Sequence, residues 1–150
     1  MRRNATGKPI DVEPYLDDLR RYLESQDGLV AAWIFGSYGT PYQTPLSDLD
    51  LALLYRQDKL PDSDELGRLY LEIPEILNEE DVSITILNRA PILFQFRAVK
   101  TGQRLVCRDP IALADFVEFV ISRHSDFEVY GQKLAEEFGE AILEQFCYEM

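Results

Sequence analysis

Residues 29–35, Leu-Val-Ala-Ala-Trp-Ile-Phe, form an unbroken apolar run between Asp27-Gly28 and Gly36-Ser37. A strand with one wet face alternates apolar and polar residues, so a run with no polar member predicts a strand buried on both faces. Residues 49–55 repeat this pattern with one interruption, Asp50, and predict a second strand. Residues 82–87 set Val82, Ile84 and Ile86 against Ser83, Thr85 and Leu87, the period of a third strand with one more polar face. A short fourth strand is expected over 103–107.

Elsewhere the period is helical. Residues 14–26 place Tyr15, Leu16, Leu19, Tyr22 and Leu23 on one stripe. Residues 63–77 do the same with Leu66, Leu69, Tyr70, Ile73 and Leu77, after a cap formed by Asp62 and Glu65; Pro74 is expected to end or kink this helix near its last turn. A short helix over 91–101 is expected to stop at Gly102. Asp109-Pro110 then caps a long helical segment, about 110–147, with an apolar face of Phe116, Val120, Phe127, Tyr130, Leu134, Phe138, Ile142 and Phe146. Gly131 and Gly139 are the points where it would break. Residues 38–47 hold Gly39, Pro41, Pro45 and Ser47 and predict a turn-rich loop. The expected class is mixed α/β: a small twisted mixed sheet flanked by helices, in one domain over residues 1–150, with a core of about 14–110.

A length of 150 residues buries a core without disulfide or metal staples. The net charge of −12 argues against stable nucleic-acid binding, because a chain that neutralises phosphates needs the opposite sign; it suits solubility or a basic protein partner. No apolar run reaches the roughly 18–20 residues of a membrane span, and no apolar stretch follows the basic residues of the N-terminus, so a cytoplasmic protein is expected. Cys107 and Cys147 stand among apolar and aromatic neighbours and read as reduced, buried thiols.

Chemistry is concentrated at the junction of the first two strands. Gly36-Ser37 is followed by ten residues and then by Asp48-Leu49-Asp50. On a strand, Asp48 and Asp50 share a face, and two ionised carboxylates roughly 6–7 Å apart repel by about 2–3 kcal/mol. A divalent cation removes that repulsion, and Mg²⁺ favours one or two carboxylates combined with substrate phosphates. Gly36 lets a triphosphate approach the backbone, and the Ser37 hydroxyl with nearby N–H groups can bind phosphate oxygens. Together these residues form the parts list of in-line phosphoryl or nucleotidyl transfer.

With that motif the chain resembles the DNA polymerase β-like nucleotidyltransferases, whose signature is Gly-Ser, a spacer of about ten, then Asp-x-Asp. The length and the run Leu87-Asn88-Arg89-Ala90-Pro91 are similar to the minimal nucleotidyltransferases, the MNT antitoxins paired with HEPN-domain toxins. The resemblance covers roughly residues 14–110. It implies transfer of AMP from Mg-ATP to a tyrosine of a basic HEPN ribonuclease toxin, which is silenced within a hetero-oligomer. It also implies that Asp48 and Asp50 are Mg²⁺ ligands, and that Gly36 and Ser37 hold the β and γ phosphates. The superfamily's third carboxylate falls, in this register, on Ser83; Asp81 lies two residues earlier on the same face. Two other readings stand beside this one: an antitoxin that binds and occludes without catalysis, and transfer to a small molecule or an RNA end.

Arg89, Arg97 and Lys100 follow the third strand and could reach a phosphate or line a helix face. His124, within Arg-His-Ser-Asp, reads as a solvated residue on the surface of the last helix. The acids Glu118, Asp126, Glu128, Glu136, Glu137, Glu140 and Glu144 read as that helix's wet face, or as a surface for a basic partner.

Overall fold

A computed structural model describes residues 9–44 and 47–138. Its four strands are β1 (Leu29–Phe35), β2 (Leu49–Tyr55), β3 (Val82–Ile86) and β4 (Gln103–Cys107), and its helices are α1 (Leu16–Glu24), α2 (Ser63–Leu77), α3 (Ile92–Thr101) and α4 (Pro110–Phe138). The sheet order is β3-β2-β1-β4, with β1 antiparallel to β2 and β4, and β2 parallel to β3. The mixed α/β class is as expected, and β1 earns its apolar sequence by lying inside the sheet with helices on both faces.

Alternation along β2 divides the two faces. Leu49, Leu51, Leu53 and Tyr55 join the cluster covered by α1 and α2, with Leu19, Leu23, Leu69 and Ile73. Ala52 and Leu54 join the opposite cluster, with Trp33, Ala98 and Leu113. Asp48 and Asp50 share the parity of Ala52 and Leu54, so they belong to the face covered by α3 and α4. In β1 a register irregularity between Leu29 and Ala31 lets both Val30 and Ala31 enter that second cluster.

The helix caps follow their sequence signatures. Asp62 Oδ1 accepts a hydrogen bond from the Glu65 N–H (2.8 Å), and Glu65 Oε1 accepts one from the Asp62 N–H (3.3 Å), a complete capping box on α2. Pro74 does not end α2, which runs to Leu77 and stops at Asn78 in the left-handed conformation, φ 51°. Asp109 Oδ1 accepts from the Ala112 N–H at 3.1 Å and starts α4 with Pro110 in its first turn.

Three further expectations are corrected. The first helix is shorter than 14–26, because a 3-10 turn, Glu13–Tyr15, precedes α1. Leu87 leaves the strand for a 3-10 turn, Leu87–Arg89, and is fully buried on the α3/α4 side. There Asn88 donates to the Tyr55 carbonyl (2.7 Å) and accepts from the Tyr55 N–H (2.9 Å), tying the end of β3 to the end of β2. Gly102 ends α3 as expected; its φ of −70° is ordinary, so its glycine is required by space: a Cβ there would collide with the Ala98 carbonyl and crowd Trp33. Finally, α4 passes through Gly131 without a break, since a glycine costs only about 1 kcal/mol in a helix interior.

Phe116 packs against the second cluster and Val120 is fully buried, as the apolar stripe predicts. Pro45, the side chains of Phe127, Tyr130, Leu134, Phe138, Glu136 and Glu137, and residues 139–150 with Gly139, Glu140, Ile142, Glu144, Phe146 and Cys147 lie outside the described residues. Cys107 is free and half-buried, more open than its neighbours suggested. Among the described residues no helix is long and apolar enough to cross a membrane.

Candidate active site

The Gly-Ser turn and the acid pair meet through backbone geometry. In the β1–β2 ladder Phe35 faces Asp50, so the next residue, Gly36, stands beside the Asp50 side chain. Gly36 has φ +84°, and a Cβ built on it would collide with Asp50 Oδ2. Both observations demand glycine, one by conformation and one by space. We predict that Gly36→Ala lowers the unfolding free energy by about 1–3 kcal/mol and displaces the Asp50 carboxylate. Chemical denaturation of the purified variant tests this; an unchanged midpoint would mean that the turn is not held against Asp50.

The loop after Gly36 is tied down at several points. The Thr40 N–H and hydroxyl both donate to the Ser37 carbonyl, at 3.0 and 2.6 Å. Tyr38 is buried, its hydroxyl accepts from the Val12 N–H (3.1 Å), and its carbonyl accepts from Gln103 Nε2 (3.3 Å). Gln43 Oε1 accepts from the Gly39 N–H (2.9 Å), while Gln43 Nε2 donates to the Ile10 carbonyl (2.7 Å). Ser37 therefore sits on a turn whose shape is fixed by the segment before α1 and by β4.

Ser37 and Gly36 line a cavity of about 630 Å³. Its opposite wall comes from α3 and α4: Phe96, Arg97 and Lys100 on one, His124 on the other. That volume is in the range of small-molecule sites. Of the three cations singled out in the sequence, Arg97 and Lys100 reach this wall and Arg89 does not. Asp48 and Asp50 are outside the lining; Asp50 adjoins the cavity through Gly36, and Asp48 is exposed at the start of β2.

Electrostatically, Asp50 is the stressed member of the pair. Half-burial and then the Asp48 charge hold its carboxyl above the usual carboxylate range, and the Arg97 guanidinium opposes the rise. A cation beside Asp50 would relieve both causes. The donor set fits a hard ion that takes two carboxylates and completes its shell with phosphate and water.

Across the parallel ladder Asp50 pairs with Ser83, which is exposed, and Leu49 pairs with Val82. Asp81 precedes β3: its carbonyl accepts from the Leu49 N–H (2.9 Å), and its own N–H donates to Glu79 Oε1 (3.2 Å). Among the described residues no three His, Cys, Asp or Glu side chains gather as a metal site.

His124 is corrected outright. It is not a solvated surface residue but 4% exposed, stacked on Phe96 in the wall of the cavity. Its position four residues after the buried Val120 continues the apolar stripe, a signal that the polar neighbours Arg123, Ser125 and Asp126 obscured.

The family model described as polymerase beta nucleotidyltransferase matches residues 17–111, a span that contains the turn, the acid pair and all four strands. The chain belongs to this nucleotidyltransferase family. Solved structures share the fold of this nucleotidyltransferase. A toxin–antitoxin crystal structure with AMP-PNP aligns at 22% identity and TM-score 0.64, covering 83% of this chain and 96% of that one. A tri-AMPylated Shewanella oneidensis HEPN toxin in complex with MNT antitoxin aligns at 20% identity and TM-score 0.64, over 85% and 98% of the two chains. A toxin–antitoxin MntA–HepT structure aligns at 18% identity and TM-score 0.62, over 83% and 97%. No curated protein matches the sequence.

Proposed function

We propose that this nucleotidyltransferase moves AMP from Mg-ATP to a tyrosine of a basic HEPN-type ribonuclease toxin in the cytoplasm and thereby neutralises it. The observation that carries this reading is the contact between the two halves of the motif, the Gly36 turn lying against the Asp50 carboxylate beside a nucleotide-sized cavity. The nearby folds, which include a complex with AMP-PNP and an AMPylated HEPN toxin, support the nucleotide and the acceptor. The net charge of −12 supports a basic partner.

In this mechanism Gly36 and Ser37 cradle the β and γ phosphates, and Arg97 and Lys100 add positive charge from the facing wall. Mg²⁺, held by Asp48 and Asp50, would withdraw charge from the α-phosphate and from the departing pyrophosphate. The tyrosine oxygen bonds to the α-phosphorus, the bond from that phosphorus to the α–β bridging oxygen breaks, and the phenolic proton passes to solvent. A phenol, with a pKa near 10, needs less help from a base than an aliphatic alcohol does, which suits a site with Ser83 beside Asp50.

That same serine favours a second reading, an antitoxin that retains the fold and silences its partner by occlusion. Incubation of the chain with α-labelled ATP, Mg²⁺ and the purified partner separates the two. Label on a partner tyrosine is the expected result; tight complex formation with no label selects occlusion.

A further inference from the structure

Tyr42 is 83% exposed, and it lines the same cavity as Gly36 and Ser37. Two successive turns hold it there. The Thr40 N–H donates to the Ser37 carbonyl (3.0 Å), and the Gln43 N–H donates to the Thr40 carbonyl (3.1 Å). Each such bond keeps the ends of its turn within about 7 Å of one another. The Tyr42 N–H donates to the Thr40 hydroxyl at 3.2 Å, so the ring springs from a backbone fixed beside Ser37. The other tyrosines whose side chains are described stand elsewhere. Tyr38 and Tyr55 are buried, and Tyr15 and Tyr22 pack against the cluster under α1 and α2. Tyr70 is 52% exposed on α2, with its hydroxyl 3.5 Å from the Ile84 carbonyl, and it does not line the cavity.

We propose that Tyr42 is itself an acceptor: with no partner bound, the chain transfers AMP from Mg-ATP to its own Tyr42 hydroxyl, a step that rests on the nucleotide site proposed above. The Tyr42 oxygen bonds to the α-phosphorus. The bond from that phosphorus to the α–β bridging oxygen breaks, its electron pair leaves with pyrophosphate, and the phenolic proton passes to solvent. A triphosphate lying on the Gly36-Ser37 turn shares the cavity with this phenol whichever way its base points. Because the acceptor is tethered beside the turn, its attack is unimolecular and needs no encounter with a second protein. Its exposure lets water take the proton, which suits a site with Ser83, not a carboxylate, opposite Asp50.

Two measurements test this. The first incubates the purified chain, without partner, with α-labelled ATP and Mg²⁺, and maps the label by peptide mass spectrometry. Label on Tyr42 is expected, with none on Tyr42→Phe or on Asp48→Asn/Asp50→Asn. A mixture of those two variants joins an intact site to an intact acceptor on different chains, and it too should stay unlabelled; label on the double variant would overturn transfer within one chain. The second measurement needs no turnover. α,β-Methylene ATP, which cannot release AMP, should in Mg²⁺ slow nitration of Tyr42 by tetranitromethane about fivefold or more when present well above its Kd, and leave Tyr70 unchanged. Label confined to other residues, or nitration of Tyr42 at the same rate with and without the analogue, would overturn the role of Tyr42. An unlabelled chain alongside a labelled partner tyrosine overturns self-transfer and leaves the proposed function standing. No label on either protein overturns both.

Discussion

Replacing Asp48 and Asp50 together by asparagine is expected to reduce Mg²⁺-dependent transfer by roughly 10³-fold or more, because both carboxylate ligands of the proposed cation are lost at once. The same change should not weaken the fold. Asp50 is half-buried, and that burial with the Asp48 charge holds its carboxyl above the ordinary value. A carboxyl whose folded pKa is raised binds its proton more tightly in the folded chain, so its ionised form opposes folding near neutral pH. That opposition fades as pH falls through the raised value, the direction opposite to that of a salt-bridged aspartate. Asparagine removes the charge while keeping the shape. Asp50→Asn alone should therefore raise the melting temperature of the metal-free chain near neutral pH by about 1–3 °C, a modest figure because solvent screens a half-exposed group. Cation uptake should follow the reverse course and decline as pH falls through the raised Asp50 value, since proton and metal compete for one carboxylate. A double variant that transfers label at the unmodified rate would remove these residues from the site.

Ser83→Asp should accelerate the transfer, by about 10- to 100-fold. Ser83 is the β3 residue opposite Asp50, so an aspartate there would place a third carboxylate on the same face of the sheet. A positioned base contributes roughly 10²- to 10⁴-fold, and a carboxylate introduced without neighbours tuned to it should reach only the lower end. The added charge also increases repulsion in the metal-free state, so the variant should melt lower than the unmodified chain without Mg²⁺ and recover with it. Asp81→Asn is the companion measurement. Asp81 precedes β3 and bonds Leu49 through its backbone carbonyl, which the substitution leaves in place. Its rate should stay within about twofold of the unmodified chain, an effect far below that of a positioned base. An inert Ser83→Asp together with an inactive Asp81→Asn would transfer the third-carboxylate role to Asp81.

The sequence carries the sheet more fully than it carries the site. The apolar runs gave the bounds of β1 and β2, because burial on both faces disfavours polar residues and only Asp50 interrupts them, and the Asp62/Glu65 cap gave the start of α2. Alternation alone placed Asp48 and Asp50 on one face, but which helices cover that face depends on the crossover between β2 and β3, and no local spacing records it. For the same reason Arg97 and Arg89 looked alike in the sequence, although only Arg97 opposes the charge of Asp50. At position 102 the helix stop was legible, and the Ala98 carbonyl one turn back makes the first demand for glycine; the added crowding by Trp33, far away in the chain, had no local signature. His124 was misplaced because its neighbours are polar, while the stripe through Val120 and the packing of α3 bury it.

The claim beneath all of this is that the Gly36-Ser37 turn and the Asp48/Asp50 pair are two sides of one metal-dependent nucleotide site. Titration of the unmodified chain with ATP in a calorimeter, once with Mg²⁺ and once with excess EDTA, tests it most directly. Saturable uptake that requires Mg²⁺ and disappears in Asp48→Asn/Asp50→Asn is the predicted result. Uptake of equal strength in EDTA, or undiminished in the double variant, would contradict it.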